Sequence, residues 1–404
     1  MTGTKMEDND KNELSRTLLF QLTLGAAISV STLYYTQPML GMIRSEFHAS
    51  VSAIGLIPSV TQIGYAIGLF FLAPLGDRYD RKIIILVKLC ALLIALLLSF
   101  LSTNLSMLLA ASFMTGIVAT AAQDFVPAVA ILSPSHSRGK NLGIVMTGLM
   151  LGILLSRVIS GFISENYGWR MVFVFALTAI TSLLLLSYKM LPNFEPTTQY
   201  SYKKLMLSLF ELIAKYRALR VVTLSQALLG LAFSAFWTTL AVLLQDQFQM
   251  GAGAAGAFGL AGAAGALAAT LGGRLSDTFG PLSVSYAASG IALLSFALLF
   301  VMDSVALDSR FLLLVVCAVG FDFGVQASLV AHQSIMYGLD VGARSRLNAI
   351  FATGLFFGMA TGSVAGGFMY AHLQTRGLAM LMTLSCALAI ILKVWQLRSK
   401  EPLG

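Results

Sequence analysis

Three ionisable side chains interrupt long apolar runs of this chain: Asp124, Arg157 and Asp322. A charge at the centre of a bilayer costs at least about 2.5–3.5 kcal/mol on insertion scales, so such a residue normally has a partner or lines water. A carboxylate and a guanidinium held in one apolar setting can hold or release a proton, or bind a charged or polyol solute. Gln326 and Gln333 follow Asp322 on its helical stripe, and Ser160 and Ser164 follow Arg157. Arg157 and Asp322 are therefore expected to act as a pair. Either Arg157 neutralises Asp322 until a proton or solute arrives, or Arg157 meets an anionic or polyol solute directly. A static pair that merely joins helices is the competing expectation. Asp124, beside Gln123 and three residues before Pro127, is a lesser proton-site candidate. Its depth differs from that of Arg157 by about 12 Å at a rise of about 1.5 Å per residue. Lys88 and Lys393 fall near the ends of their runs, where a long stem lets the ammonium reach water.

Aromatic and amide side chains complete a candidate cavity. Tyr34, Tyr35 and Gln37 stand before Pro38, and Gln226, Phe233 and Trp237 occupy the corresponding stretch later in the chain. Tyrosine and tryptophan offer an apolar face and one hydrogen-bond donor. For Tyr34 and Tyr35 an interfacial aromatic belt is an equal expectation. His332 is expected to be a structural polar residue. Cys90, Cys317 and Cys386 all lie in apolar segments with no metal-ligand spacing, and are expected to be small buried hydrophobes.

The elements that must position these groups are membrane helices. Of 404 residues, 57% are apolar and 11% charged, with a mean hydropathy of +0.83. Soluble domains carry about a quarter charged residues. The formal charge of +8 sits in short runs between apolar stretches, which argues against a nucleic-acid face. Twelve stretches reach the roughly 20 apolar residues a spanning helix needs: about 17–41, 51–75, 83–102, 106–132, 142–164, 170–190, 220–245, 251–273, 282–302, 310–336, 345–371 and 376–397. The expected fold is all-α, with twelve transmembrane helices in two pseudo-symmetric six-helix bundles.

Orientation follows from basic residues, which favour cytoplasmic loops. Of 26 Lys and Arg residues, Arg44, Arg170, Arg310 and Arg376 fall in the outer loops and Arg157 in a span. The rest lie in segments, or at nearby helix ends, that are cytoplasmic if the N-terminus is inside, which puts both termini there. Residues 1–16 read as a cytoplasmic tail, 17–190 as the first bundle, 191–219 as a cytoplasmic linker, 220–397 as the second bundle and 398–404 as a second tail. Leu205 to Ala218 in the linker has helical apolar spacing suited to the membrane interface. The linker reads as a device that lets two halves rock, or as a plain spacer.

The two halves repeat one another. Leu75 and Asp77 after span 2 recur as Leu275 and Asp277 after span 8. Thr147, Gly148, Leu149, Gly152, Gly161 and Phe162 recur as Thr353, Gly354, Leu355, Gly358, Gly367 and Phe368. With Gly362 and Gly366, these glycines recur at helical spacing and are expected to form packing faces of moving helices. Asp77 and Asp277 are placed to accept N–H groups at a neighbouring helix N-terminus; anchoring of topology is the plainer alternative.

The loop run PLGDRYDRK and its weaker copy GRLSDTFGP resemble the GxLxDxxGRK signature of the major facilitator superfamily, and the likeness covers the whole chain. YYTQPML, GILLSRVISG, FSAFWTTLA and FGLAGAAGALAA resemble more narrowly the bacterial branch of arabinose- or sugar-efflux permeases, in the twelve-helix drug–proton antiporter-like group. The resemblance implies that helices 1, 4, 7 and 10 line the cavity. It implies that Asp77 latches onto the start of helix 11 and Asp277 onto helix 5, with Arg78, Arg81 and Lys82 holding the loop and marking the inner face as a cytoplasmic gate. The chain departs from that pattern at several points. Ala73 and Asp80 replace glycines, Ser112 replaces the arginine of RxxQG, and Arg157 replaces the proline of GxxxGPxxGG.

The expected activity is secondary active transport: proton-coupled efflux of a small organic solute, sugar-like or drug-like, by alternating access. Uptake of a small metabolite, proton-coupled or facilitated, is the alternative, and a membrane sensor without transport a remote one. No catalytic constellation and no phosphate-binding loop is visible, so neither an enzyme nor an ATP-driven pump is expected. No cofactor or metal is expected. The partners are the lipid bilayer, protons and a small-molecule substrate, with no nucleic acid. The chain is expected to be a monomer in the cell membrane, in bacteria the inner membrane.

Overall fold

A backbone crossing hydrocarbon must satisfy its own N–H and C=O groups, which a helix does within one segment. The computed structural model describes residues 14–134, 136–196, 201–340 and 343–398, and these form helices with no strand. Nine described segments are long and apolar enough to cross a bilayer. They include α2 (Val51–Leu72), α3 (Arg81–Phe100), α4 (Leu105–Leu132), α5 (Arg138–Tyr167), α6 (Trp169–Met190), α7 (Arg217–Phe248), α9 (Pro281–Met302) and α10 (Ser309–Leu339). The ninth is the long run at the end of the chain.

The remaining expected spans are interrupted or merged, each for a physical reason. The first, α1 (Arg16–Ser31), ends early and passes through turns at 32–39 before a short extension, Leu40–Phe47. Pro38 removes a donor and restricts the residue before it, so the helix cannot run through. The eighth, α8 (252–279), has a 3₁₀ stretch at Phe258–Gly262 inside a glycine-rich run that has poor helix propensity.

The terminal run Arg344–Arg398 is non-helical at Gln374. Its two arms, α11 (344–373) and α12 (375–398), fold back on one another. Ala227 of α7 lies against Gly358, while Ser225, two residues earlier, bonds the Ala389 carbonyl at 3.1 Å. A straight helix would hold residues 358 and 389 about 46 Å apart at about 1.5 Å per residue.

Local chemistry sets the other boundaries. Asn104 caps α4 by accepting from Met107 N–H, and Asp80 caps α3 by accepting from Lys82 N–H. Gly168 and Gly280 take φ of +87° and +82° and turn the chain sharply between α5 and α6 and between α8 and α9. Asp80, in a position where the family pattern has glycine, also accepts the N–H of Phe194 at 3.0 Å. It thereby ties the α2–α3 loop to the stretch after α6. A linker helix, Tyr202–Lys215, lies between α6 and α7 and buries Leu205, Leu209 and Leu212.

The repeat reappears as a repeated contact. A Cβ at Gly152 would come within 2.5 Å of the Ala27 carbonyl, and one at Gly358 would collide with the Ala227 carbonyl. Gly148 sits on Thr23 as Gly354 sits on Thr223. So α5 packs on α1 as α11 packs on α7, with Gly362 and Gly366 extending the second seam along Leu231 and Ala235. Gly161 and Gly367 face other neighbours: Gly161 meets Ala252 and Gly256 of α8, and Gly367 meets Val51 at the start of α2.

Those last two contacts lie at the end of the bundle away from the N-terminus, here called the far end. Arg44 also pairs there with Asp246 at 3.1 Å, and the carboxylate of Glu165 accepts the N–H of Gly253. At the opposite, basic end, a Cβ on Gly139, Gly143 or Gly273 would have nothing within 4 Å. Helices α5 and α8 meet at the far end through Gly161, Ala252 and Gly256, whereas Gly143 of α5 and Gly273 of α8 face open space at the basic end.

Candidate functional site

Arg157 lies on α5 where α1, α7 and α8 converge, and it is 2% exposed. Its Nε donates to Gln37 Oε1 at 2.8 Å. Its guanidinium carbon lies 4.1 Å from the ring centre of Trp237, 5.0 Å from Tyr34 and 5.8 Å from Phe233. A desolvated guanidinium over an aromatic face gains about 2 kcal/mol or more, and tryptophan is the best partner. The turns that break α1 place Tyr34 and Gln37 on one side of the cation, and α7 supplies Phe233 and Trp237 one helical turn apart on the other.

Asp322 stands on α10 with 2% exposure. The glycine-rich break in α8 lets the backbone come close to both charges: Gly259 packs on the Arg157 side chain and Gly265 on Asp322 and Gln326. A Cβ on Gly262 would lie 3.8 Å from Asp322 Oδ2 and 3.9 Å from Arg157 Nη1, so the two groups are less than about 8 Å apart. No salt bridge joins them among the described residues. Phe321, next to Asp322, is packed between Phe296 at 4.5 Å and Phe236 at 4.6 Å, and this fixes α10 against α7 and α9.

Several polar atoms at this centre have no hydrogen-bond partner among the described residues: Gln37 Nε2, Arg157 Nη2, Trp237 Nε1 and Gln326 Oε1. Native structures leave few buried polar atoms unmet, so four in one place set this centre apart as the candidate site. Only a narrow gap, too small to hold a water molecule, lies between Gln37, Arg157 and Trp237. The first three atoms are donors, which suit a carboxylate, carbonyl or hydroxyl oxygen. Asp322 and Gln326 offer acceptors across the gap.

The other expected cavity residues divide. Tyr35 turns from the centre and meets Phe175 of α6 edge-on at 6.4 Å, because neighbours in a turn point in different directions. Tyr34 and Tyr35 are both buried, so neither stands in an exposed belt. Gln123 donates to the Tyr65 hydroxyl at 3.2 Å. Gln226 bonds Nδ1 of His332 at 2.8 Å, nearer the basic end. Gln333 is partly exposed.

Asp124 belongs to a different cluster. Lys88 Nζ lies 2.6 Å from its Oδ2 and Arg81 Nη1 lies 3.4 Å from its Oδ1, all three side chains being buried. Arg81 Nη2 also donates to the Gly76 carbonyl at 3.0 Å. Lys88 is thus not a snorkelling residue: its stem leads inward to a carboxylate one helix away. Lys393 is likewise buried, at 3% exposed, and donates to the Ser285 carbonyl at 2.8 Å and Ser289 Oγ at 2.7 Å. Cys90 is exposed where burial was expected, whereas Cys317 and Cys386 are buried.

Of the gate residues, Arg78 lies over the Tyr79 ring at 5.5 Å and Lys82 over Tyr188 at 5.9 Å. The side chain of Asp77 lies outside the described residues. Asp277 is exposed at the basic end of α8. Sequence reading missed a set of polar contacts that join α2 to the later helices. Gln62 Nε2 meets Ser234 Oγ at 3.2 Å, Ser59 donates to the Ala360 carbonyl at 2.9 Å, and Ser363 donates to the Gly55 carbonyl at 2.8 Å. Gln62 was the available signal, an amide in the middle of an apolar run.

A bundle of membrane-spanning helices with a charged, aromatic-lined centre between its parts defines a membrane transport protein. The chain belongs to the Major Facilitator Superfamily, whose family model matches residues 22–342. It is 34% identical over 371 residues to the Escherichia coli O157:H7 protein described as uncharacterized transporter YgaY, with 89% of this chain and 91% of that one covered. It is 30% identical over 364 residues to the probable transporter SCO4007 of Streptomyces coelicolor, covering 89% and 82%. Multidrug resistance protein MdtG of Salmonella typhi is 28% identical over 228 residues, 55% of this chain and 54% of that one. Among solved structures, the nucleoside transporter NupG superposes with a TM-score of 0.75 at 12% identity, covering 95% of this chain and all of that one. These structures share its fold.

Proposed function

We propose that the protein is a proton-coupled exporter of a small organic solute that works by alternating access, with Arg157 and Asp322 at its centre. The unmet donors of Gln37, Arg157 and Trp237, with the Arg157 guanidinium less than about 8 Å from Asp322, carry this reading. A solute oxygen accepts from the donors, and its ring or apolar body packs on Tyr34, Phe233 and Trp237. Asp322 has no ion-pair partner within 4 Å among the described residues, so no salt bridge fixes its charge. Arrival of a proton there would weaken its pull on Arg157 and on the solute.

The two six-helix units, 17–190 and 220–397, are read as the moving bodies, joined by 191–219. With the basic end in the cytoplasm, closure through Arg44–Asp246 and Gly161–Gly256 and separation at Gly143 and Gly273 describe a carrier shut on the outside. Asp77 and Asp277 would form the inner latch in the opposite state. The bacterial relatives support a place in the inner membrane, the distribution of basic residues supports both termini inside, and the partial likeness to a multidrug resistance protein supports export. The protein is read as acting as a monomer.

The test is solute-evoked proton movement in proteoliposomes with an internal pH-sensitive dye, run on a panel of sugars, organic anions and cationic drugs. A proton signal with one solute class that disappears in Asp322→Asn, while solute exchange persists, is the expected result. Exchange with no proton signal in the wild type, unchanged in Asp322→Asn and Arg157→Ala, would sink the proposal and leave a facilitator with structural charges.

A further inference from the structure

A cavity of about 560 Å³ opens on the outer surface of the bundle at the basic end, away from Arg157. Its floor is the small-residue seam between α7 and α11, where Ala227 meets Gly358 and Thr223 meets Gly354. Its walls include Leu224 and Phe357, which are 51% and 46% exposed. Phe70 of α2 and Ile213 of the linker helix close its upper end. An apolar groove of this kind in a spanning bundle is open to lipid rather than to water.

Three features say what fits it. The first is length: the lining runs from Arg220 to Leu231 on α7, about 16 Å at a rise of about 1.5 Å. Half of a hydrocarbon core of about 30 Å is about 15 Å, one leaflet. The second is charge at the mouth. Arg220 lines the groove there, is exposed, and donates through Nη1 to the carbonyls of Ile213 and Ala214 at 2.6 and 2.8 Å. Lys203, Lys204 and Lys215 on the same linker helix are exposed, and Leu207 and Phe210 of that helix expose apolar side chains, as an interfacial helix does. The third is a pair of orphaned hydroxyls: Thr223, one turn along α7 from Arg220, and Thr353 of α11 both line the groove, and their buried Oγ1 atoms have no hydrogen-bond partner among the described residues.

We infer that the groove between α7 and α11 binds one anionic phospholipid of the leaflet at the basic end. Its phosphate lies over Arg220 and the linker helix, its ester oxygens accept from Thr223 and Thr353, and one acyl chain runs down the seam to Leu231. The occupied groove holds the linker helix against α7 and α11, the elements whose sliding alternating access requires. This site is independent of the solute at Arg157 and stands whether or not protons are coupled.

The test is photo-crosslinking of the full-length protein in vesicles doped with phosphatidylglycerol or phosphatidylcholine that carry the same photoreactive acyl chain. Labelled peptides are mapped by mass spectrometry. Saturable labelling of the 220–231 and 350–361 peptides is expected, stronger for phosphatidylglycerol by about fivefold per basic contact. Arg220→Gln should reduce that preference and leave labelling in place. Leu224→Trp, which fills the groove from an exposed position, should remove most labelling there, as should Thr361→Phe if the first variant does not fold. Unsaturable labelling, equal labelling by both lipids, or labelling unchanged in the filled variants would show only bulk annular lipid and overturn the assignment.

Discussion

Lys88 and Asp124 form a buried ion pair, Nζ to Oδ2 2.6 Å, that joins α3 to α4, with Arg81 on the other carboxylate oxygen at 3.4 Å. Breaking one member of such a pair leaves a desolvated charge and typically costs about 3–5 kcal/mol, whereas removing both members together is often close to neutral. Lys88→Met or Asp124→Asn alone should therefore lower the melting temperature in detergent markedly. The Lys88→Met, Asp124→Leu double variant should recover part of the loss, with Arg81 still bound to the Gly76 carbonyl. Equal or additive losses in the double variant would show that the pair is not coupled.

Arg157→Lys separates charge from shape. Lysine keeps the cation but loses the planar face over Trp237 and the Nε donor to Gln37. Transport should fall at least about tenfold through a raised KM, in line with the roughly 1.5–3 kcal/mol of a hydrogen bond to a charged group. Kinetics of solute exchange in proteoliposomes read the split between KM and kcat. Wild-type KM in the lysine variant would show that charge alone matters at this position.

Two glycines predict opposite phenotypes. Gly358 sits on the Ala227 carbonyl within one seam, and Gly161 sits on Gly256 across the junction of α5 and α8. Gly358→Val should destabilise the fold and lower its melting temperature by overpacking, typically about 1–3 kcal/mol. Gly161→Val should mostly spare stability but hold the far end open, so that a cysteine pair replacing Arg44 and Asp246 crosslinks less. The same loss of stability in both would mean that the α5–α8 contact is a permanent part of the core.

The far-end loops carry a pH dependence of defined sign. Burial alone would raise the Glu46 carboxyl, but the hydrogen bonds from Trp169 and Arg170 and the Arg170 charge outweigh it and hold the group below its ordinary value. A carboxyl depressed on folding stabilises above its unfolded pKa and loses that contribution as pH falls through the folded value. Melting temperature should drop on acidification below about pH 4.5, near the ordinary glutamate range, and Glu46→Gln should flatten that part of the profile. An unchanged profile in the variant would remove Glu46 from the account.

The amino-acid sequence by itself determined the membrane class, the repeated glycine faces and the family, because each rests on local pattern. Runs of apolar residues this long are read as helices in lipid, and glycines recurring at helical spacing mark packing faces, although Gly161 and Gly367 turn to other neighbours than the rest of the repeat. Asp124, Arg157 and Asp322 were legible as buried charges for the same reason. Which charges meet was decided only by tertiary structure. Lys88 and Lys393 read as snorkelling residues because depth along one helix says nothing of what a neighbouring helix offers; the fold turns both inward, to Asp124 and to Ser285 and Ser289. Arg157 and Asp322, more than 160 residues apart in sequence, come within about 8 Å across the glycine break of α8 without forming a salt bridge. Tyr34 and Tyr35 are adjacent in sequence and part company in space, one to the cation and one to Phe175. Such choices depend on the rotation of each helix about its axis, and packing sets that rotation through contacts that no local pattern encodes.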